Sequence, residues 1–190
     1  MDLPYTGYIF DCDGTLTDSM PLHAIAWEET MARYEVEFLP ARCYSMGGMP
    51  TTKIIEILAI ENEIELDAVA IAKEKEEAFL TKIDQLQPVH QVVDLVHQCV
   101  AVGKAISVAS GSERYSVDLQ LKQIGLEGVF STIVTAEDTE RHKPEPDVFL
   151  RAAELMKVSP KDCVVYEDSD FGIQAAESAG MAWVDVRQLL

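Results

Sequence analysis

Tyr8–Ser19 reads YIFDCDGTLTDS, and the reading of this stretch decides the fold. The apolar run Tyr8, Ile9, Phe10 delivers two aspartates, Asp11 and Asp13, before Gly14 and Thr15 turn the chain. A short buried strand accounts for the apolar run. It does not account for two carboxylates at its end. Side chains at i and i+2 of an extended segment share a face, so Asp11 and Asp13 are expected to point together, just past the carboxyl end of a strand. Like charges that close repel and shift each other's pKa, so the pair needs a cation between them or a reason to tolerate the strain. Gly14 allows a turn that other residues resist. A strand followed by an Asp-Gly turn is the plainer reading, and partners elsewhere in the chain must decide.

Outward from this stretch, residues 5–11 read as the first strand. Helical spacing of apolar residues then predicts helices from Pro21 to about Ala32, over 52–60 and over 67–83, with Asp18 or Ser19 as the first cap and a turn at 45–50. The run Lys73 to Glu77 reads as a solvated face. No convincing strand occurs in 19–86. Past Pro88 the pattern changes: helix 89–102, strand 105–109, helix 112–124, strand 131–135, helix 147–156, strand 163–166, helix 172–179, strand 182–186. Alternation of this kind predicts an α/β fold with a parallel sheet and helices on both faces. The expected organisation is a core of 1–18 with 87–190 and a helical segment, 19–86, inserted after the first strand.

The chain has 190 residues and a formal charge of −18, with 33 acidic against 15 basic side chains. That balance disfavours nucleic acid and anionic membrane surfaces as partners. An anionic substrate would meet an opposing field, so its site must supply local positive charge, for which a divalent metal is the natural source. The four cysteines, Cys12, Cys43, Cys99 and Cys163, are scattered and form no CxxC pair. Free thiols fit a reducing compartment, the first six residues make no signal peptide, and no apolar run is long enough to span a membrane. A cytoplasmic monomer is expected.

In open α/β sheets, ligands bind beyond the carboxyl ends of the strands. The first strand end carries Asp11 and Asp13. The second carries Ser110, Gly111 and Ser112, a small polar turn able to hold a phosphate. The third region holds Lys143-Pro144-Glu145-Pro146, where the prolines stiffen the backbone around the lysine. The fourth gives Glu167 and Asp168 after Val164-Val165-Tyr166. Two acidic strand ends in one crevice make an oxygen-rich site for a hard cation such as Mg²⁺.

DCDGTLTDS, the serine of VASGS, the lysine of HKPEPDVF and EDSDFGIQAAESAGM resemble, in order, the four motifs of the haloacid dehalogenase superfamily. The resemblance covers essentially the whole chain. It implies a Rossmann-like parallel-sheet core with a small helical cap after the first strand, in the β-phosphoglucomutase-like branch. It further implies that Asp11 is a nucleophile forming an aspartyl-phosphate and that Asp13 is the general acid and base. Mg²⁺ would be held by Asp11, the backbone carbonyl of Asp13 and Asp168, with Glu167 nearby or acting through water. Ser110, with Gly111 and Ser112, and Lys143 would hold the transferring phosphoryl oxygens. His23, ten residues after Asp13, matches a histidine near the catalytic groups. Lys75 matches a substrate-reaching lysine of the cap, and Trp27 shares the face of His23. Mutases of the branch carry a cap-loop arginine for a second phosphate, whereas here Gly47–Thr52 has none. Glu113 and Arg114 replace a lysine and an asparagine. The loop and turn look more like the fructose-1-phosphatase side of the branch, with Glu113 facing a neutral sugar hydroxyl. Hydrolysis of a small sugar monophosphate is expected ahead of phosphomutase activity, and a catalytically silent binding protein last.

Overall fold

The computed structural model describes residues 3–189. Strand β1 (Gly7–Phe10) is followed by four helices, α1 (Met20–Ala32), α2 (Pro40–Ser45), α3 (Thr51–Glu61) and α4 (Ala68–Leu80). Then come α5 (His90–Ala101), β2 (Ala105–Ala109), α6 (Arg114–Gln123), β3 (Thr132–Val134), α7 (Asp147–Met156), β4 (Cys163–Glu167), α8 (Asp170–Ser178) and β5 (Ala182–Asp185). The five strands are parallel, in the order β3-β2-β1-β4-β5. β1 is central, so the carboxyl ends of β1, β2 and β4 lie side by side.

Alternation within the strands builds two cores. Tyr8 and Phe10 pack on one face with Val92 and Val96 of α5 and Val117 and Leu121 of α6. Ile9 packs on the other with Phe149 and Ala152 of α7 and Ala175 and Ala176 of α8. The helices after β1 close a third cluster of their own, with Trp27 and Met31 of α1, Ile55 and Leu58 of α3 and Ile71 of α4 fully or almost fully buried. The two passages into and out of this helical segment run together: Asp18 N–H donates to Gln87 O at 2.9 Å, and Val89 N–H to Leu16 O at 2.9 Å.

Two local expectations change. Helix α2, only six residues long, is too short to leave a periodic signal and falls where no element was expected. Ser19 occupies the cap position of α1 but makes no side-chain cap; its hydroxyl is drawn to Asp13 instead, at 2.8 Å. The four cysteines are free and buried. No helix among the described residues is long and apolar enough to cross a membrane.

Candidate active site

Asp11 follows β1, and its N–H continues the pairing with β4 by donating to Tyr166 O at 3.0 Å. This places its carboxylate beside Glu167 and Asp168, at and just past the end of β4. One ligand oxygen from each of the three lies within 4.8 Å of the others. The Lys143 ammonium donates to Asp11 Oδ1 at 2.6 Å and to Glu167 Oε1 at 2.7 Å. Three acids against one lysine in a buried place are unbalanced. Burial acts most strongly on Asp11 and pushes its carboxyl up to about 8; Lys143 pulls down, and Glu167 and Asp13 push further up. Burial, then Glu167 and Asp11, likewise raise Asp168 well above the usual carboxylate range. Burial opposes the charge on Lys143, but Asp11 and Glu167 outweigh it and hold the ammonium firmly protonated.

This donor set fits a divalent cation, which takes carboxylate oxygens and relieves their repulsion. The backbone is shaped around it. Gly14 has φ +77°, and a Cβ there would stand 2.1 Å from Asp168 Oδ2. Asp11 and Asp168 are the freer ligands. Glu167 Oε2 already accepts the N–H groups of Asp168 and Ser169, at 2.6 and 2.7 Å, and its Oε1 accepts Lys143. Glu167 therefore anchors the lysine and the turn while bordering the same cavity as the other two.

Asp13 faces a different set of partners, and its side chain is not part of the three-carboxylate group. Its Oδ1 accepts from Ser19 Oγ at 2.8 Å, His23 Nε2 at 2.8 Å and Gln120 Nε2 at 2.9 Å, and its Oδ2 from Ser112 Oγ at 2.6 Å. Lys75 Nζ stands 2.9 Å from His23 Nδ1. An ammonium only donates, so Nδ1 accepts and the Nε2–H of His23 donates to Asp13. Burial acts to raise the Asp13 carboxyl, but His23, Ser112 and Ser19 outweigh it and keep the group well below the usual range. The His23 ring lies flat on Phe79, with centroids 3.8 Å apart. Lys75 is buried, 5.5 Å above the Trp27 ring.

These groups border a cavity of about 610 Å³, its open mouth included. Asp11, Asp13, Asp168 and Ser110 to Ser112 form one side. Trp27, Ile54, Lys75, Glu76 and the loop Met46–Met49 form the other. Gly48, at φ +81°, brings this loop onto the opposite wall, where a Cβ would lie 2.9 Å from Ser169 Oγ. Ser110 is buried, and its Oγ accepts Ser112 N–H at 3.1 Å. Lys143 lies behind Asp11 rather than in the lining.

Glu113 is the exception. It is exposed at the start of α6 and outside the lining, because the turn after Ser112 carries its side chain to the surface. The carboxylate that borders the cavity from the helical segment is Glu76 instead. Sequence reasoning also passed over Gln120, which is wholly buried and accepts the Thr17 hydroxyl at 2.7 Å while donating to Asp13. The signal was present: Gln120 falls between Val117 and Leu121 on the apolar stripe of α6, where an amide needs a partner.

A family model described as haloacid dehalogenase-like hydrolase matches residues 8–186. The Escherichia coli K12 protein named fructose-1-phosphate phosphatase YqaB is 40% identical over 186 residues, 97% of this chain and 98% of that relative. A Bacillus subtilis 168 protein named beta-phosphoglucomutase is 28% identical over 186 residues, 95% of this chain and 82% of that one. A solved structure of a hydrolase from Pseudomonas syringae superposes with a TM-score of 0.87 at 25% identity, covering 95% of this chain and 84% of the other. The family match begins in β1 and runs past β5, so it takes in every acid of the site together with the sheet that positions them, and the chain belongs to the haloacid dehalogenase-like hydrolase family.

Proposed function

We propose that this chain, a phosphoric monoester hydrolase, is a Mg²⁺-dependent phosphatase of small sugar phosphates, with fructose 1-phosphate the first candidate. The observation that carries the reading is Asp11, held at 2.6 Å by Lys143 against the cavity, with Asp168 on one side and Asp13 on the other. The name of the 40% identical relative supports the substrate class.

Asp11, as nucleophile, attacks phosphorus while the bond to the sugar oxygen breaks, giving an aspartyl-phosphate. Asp13 gives the departing oxygen its proton and later takes one from the water that attacks phosphorus, restoring Asp11. The arriving phosphate charge raises the Asp13 pKa, which lets a group that rests as a carboxylate carry that proton. Ser110 and the neighbouring turn hold phosphoryl oxygens, and Lys143 fixes the nucleophile. A Mg²⁺ ion at Asp11, Asp168 and the Asp13 backbone carbonyl would neutralise charge between the carboxylates and the phosphate. Residues 19–86 act as a cap that covers the reaction, turning about the two chain passages that pair near Asp18 and Gln87. A reducing, cytoplasmic setting suits the four unpaired buried thiols. A phosphomutase would need a clamp for a second phosphate, and the loop Gly47–Thr52 has no arginine to make one.

The test is phosphate release from a panel of sugar phosphates with Mg²⁺, for the wild type and Asp11→Asn. Release from fructose 1-phosphate is expected, with a loss of at least about 10⁴-fold in the variant, the scale for removing a group central to covalent catalysis. An unchanged rate in Asp11→Asn overturns the mechanism. Conversion of β-glucose 1-phosphate to glucose 6-phosphate without release overturns the phosphatase reading.

A further inference from the structure

Glu76 has one oxygen in use and one to spare. Its Oε1 accepts from Lys75 Nζ at 2.9 Å and from Thr51 Oγ1 at 3.2 Å. Its Oε2 is buried and has no hydrogen-bond partner. A buried acceptor left unmade costs free energy, and its natural complement is a donor that arrives from outside the chain. Glu76 borders the same cavity as Asp11 and Asp13, on the wall opposite the acids, where the part of a substrate remote from the reacting phosphate must lie. Burial acts against its charge, but the Lys75 ammonium beside it outweighs burial and keeps the group an anion.

The surrounding charges narrow the choice of donor. Lys75 is the one lysine or arginine among the described residues of the lining. Two of its three protons are already given to His23 and Glu76, and its charge is matched by Glu76. This end of the cavity therefore offers no surplus positive charge for a second phosphate. It offers a strong acceptor for a neutral hydroxyl, flanked by the apolar faces of Trp27 and Ile54 that suit the carbon side of a sugar.

We infer that Glu76 is a specificity-determining residue whose free oxygen accepts a substrate hydroxyl, selecting polyhydroxylated monophosphates over bisphosphates and over esters without hydroxyls. This rests on the phosphatase reading above. A hydroxyl bound there is read by a carboxylate oxygen that otherwise has no partner, the kind of contact that discriminates best. A second phosphate brought to the same place meets like charge.

The experiment compares wild type, Glu76→Gln and Glu76→Ala by kcat/KM on fructose 1-phosphate, fructose 1,6-bisphosphate and n-butyl phosphate, with thermal melts to confirm folding. In Glu76→Ala the ratio of fructose 1-phosphate to butyl phosphate should fall about ten- to hundredfold, the worth of one hydrogen bond to a charged group. In Glu76→Gln, which keeps the shape and removes the charge, the ratio of bisphosphate to monophosphate should rise. Should the alanine variant fail to fold, the glutamine variant decides alone. Ratios unmoved in folded variants, including the case where all three substrates slow equally, mean that Glu76 acts only through Lys75 and His23, and overturn the inference. A wild type that releases phosphate from none of the three overturns the phosphatase reading and this inference with it.

Discussion

Asp13 receives four hydrogen bonds, donated by Ser19 and His23 at the start of α1 and by Ser112 before α6 and Gln120 within it. Its orientation is thus a property of the assembled molecule, although its identity is plain from the DCDGT motif. Gln120 is the donor with no second task in the cavity, so it isolates the value of that orientation. Gln120→Leu, close in volume, removes one donor from Asp13 and leaves Thr17 its bond to Cys12 O. The expected result is a kcat reduced about tenfold or more, in line with the contribution of positioned acid–base groups, and a smaller change in KM. Losing a donor also raises the Asp13 pKa. The acid limb of the pH–rate profile should therefore move to higher pH, a shift that a purely structural role for Gln120 would not produce.

At the scale of elements, the site depends on how closely α8 starts against the end of β4. Gly172, in the first turn of α8, leaves no room for a side chain: a Cβ there would stand 1.7 Å from Glu167 Oε1. The same carboxylate anchors Lys143, which anchors Asp11. Gly172→Ala must displace Glu167 or the helix, at a cost of about 1–3 kcal/mol for overpacking. For a chain of this size each kcal/mol lowers the melting temperature by roughly 2–4 °C. Calorimetry should show that loss together with weaker Mg²⁺ binding, whereas a variant with wild-type melting and metal affinity would mean that Glu167 is not a fixed support. Most element boundaries were legible because buried strands and amphipathic helices each have their own period. Asp147–Met156 and Ala105–Ala109 appear where the pattern put them.

For the whole molecule the governing quantity is acidic charge gathered where β1 and β4 end. Asp11 rises from an ordinary 3.8 to about 8, and Asp168 rises in the same direction, chiefly through burial. Between those pH values the folded chain binds more protons than the unfolded one, so stability falls as pH increases. Asp13 moves the opposite way, and its contribution is lost only in acid below the usual carboxylate range. The metal-free protein should therefore melt at lower temperature at pH 8 than at pH 5. Mg²⁺, proposed to bind the ionised carboxylates, should raise the melting temperature more at pH 8 than at pH 5. Chelation should abolish phosphate release, and added Mg²⁺ should restore it. Melting that is independent of both pH and metal would show that the three acids do not form the cation site.

The sequence by itself determined the parallel α/β sheet, the helical segment after the first strand, the strand ends that carry Asp11, Ser110 and Asp168 and the loop before α7 that carries Lys143. It could do so because each depends on local periodicity or on a contiguous motif. Tertiary structure decided where the side chains point. Two-residue spacing led to the expectation that Asp11 and Asp13 would share one cation site, but the turn at Gly14 and partners 99 and 107 residues away draw the Asp13 carboxylate toward Ser112 and Gln120. Glu113, adjacent in sequence to the turn proposed to hold phosphate, faces solvent. Glu76, hidden in a charged helical run, reaches the cavity with an oxygen unpaired. Burial and hydrogen-bond pairing between distant segments have no local signature, so only the assembled fold could assign these roles.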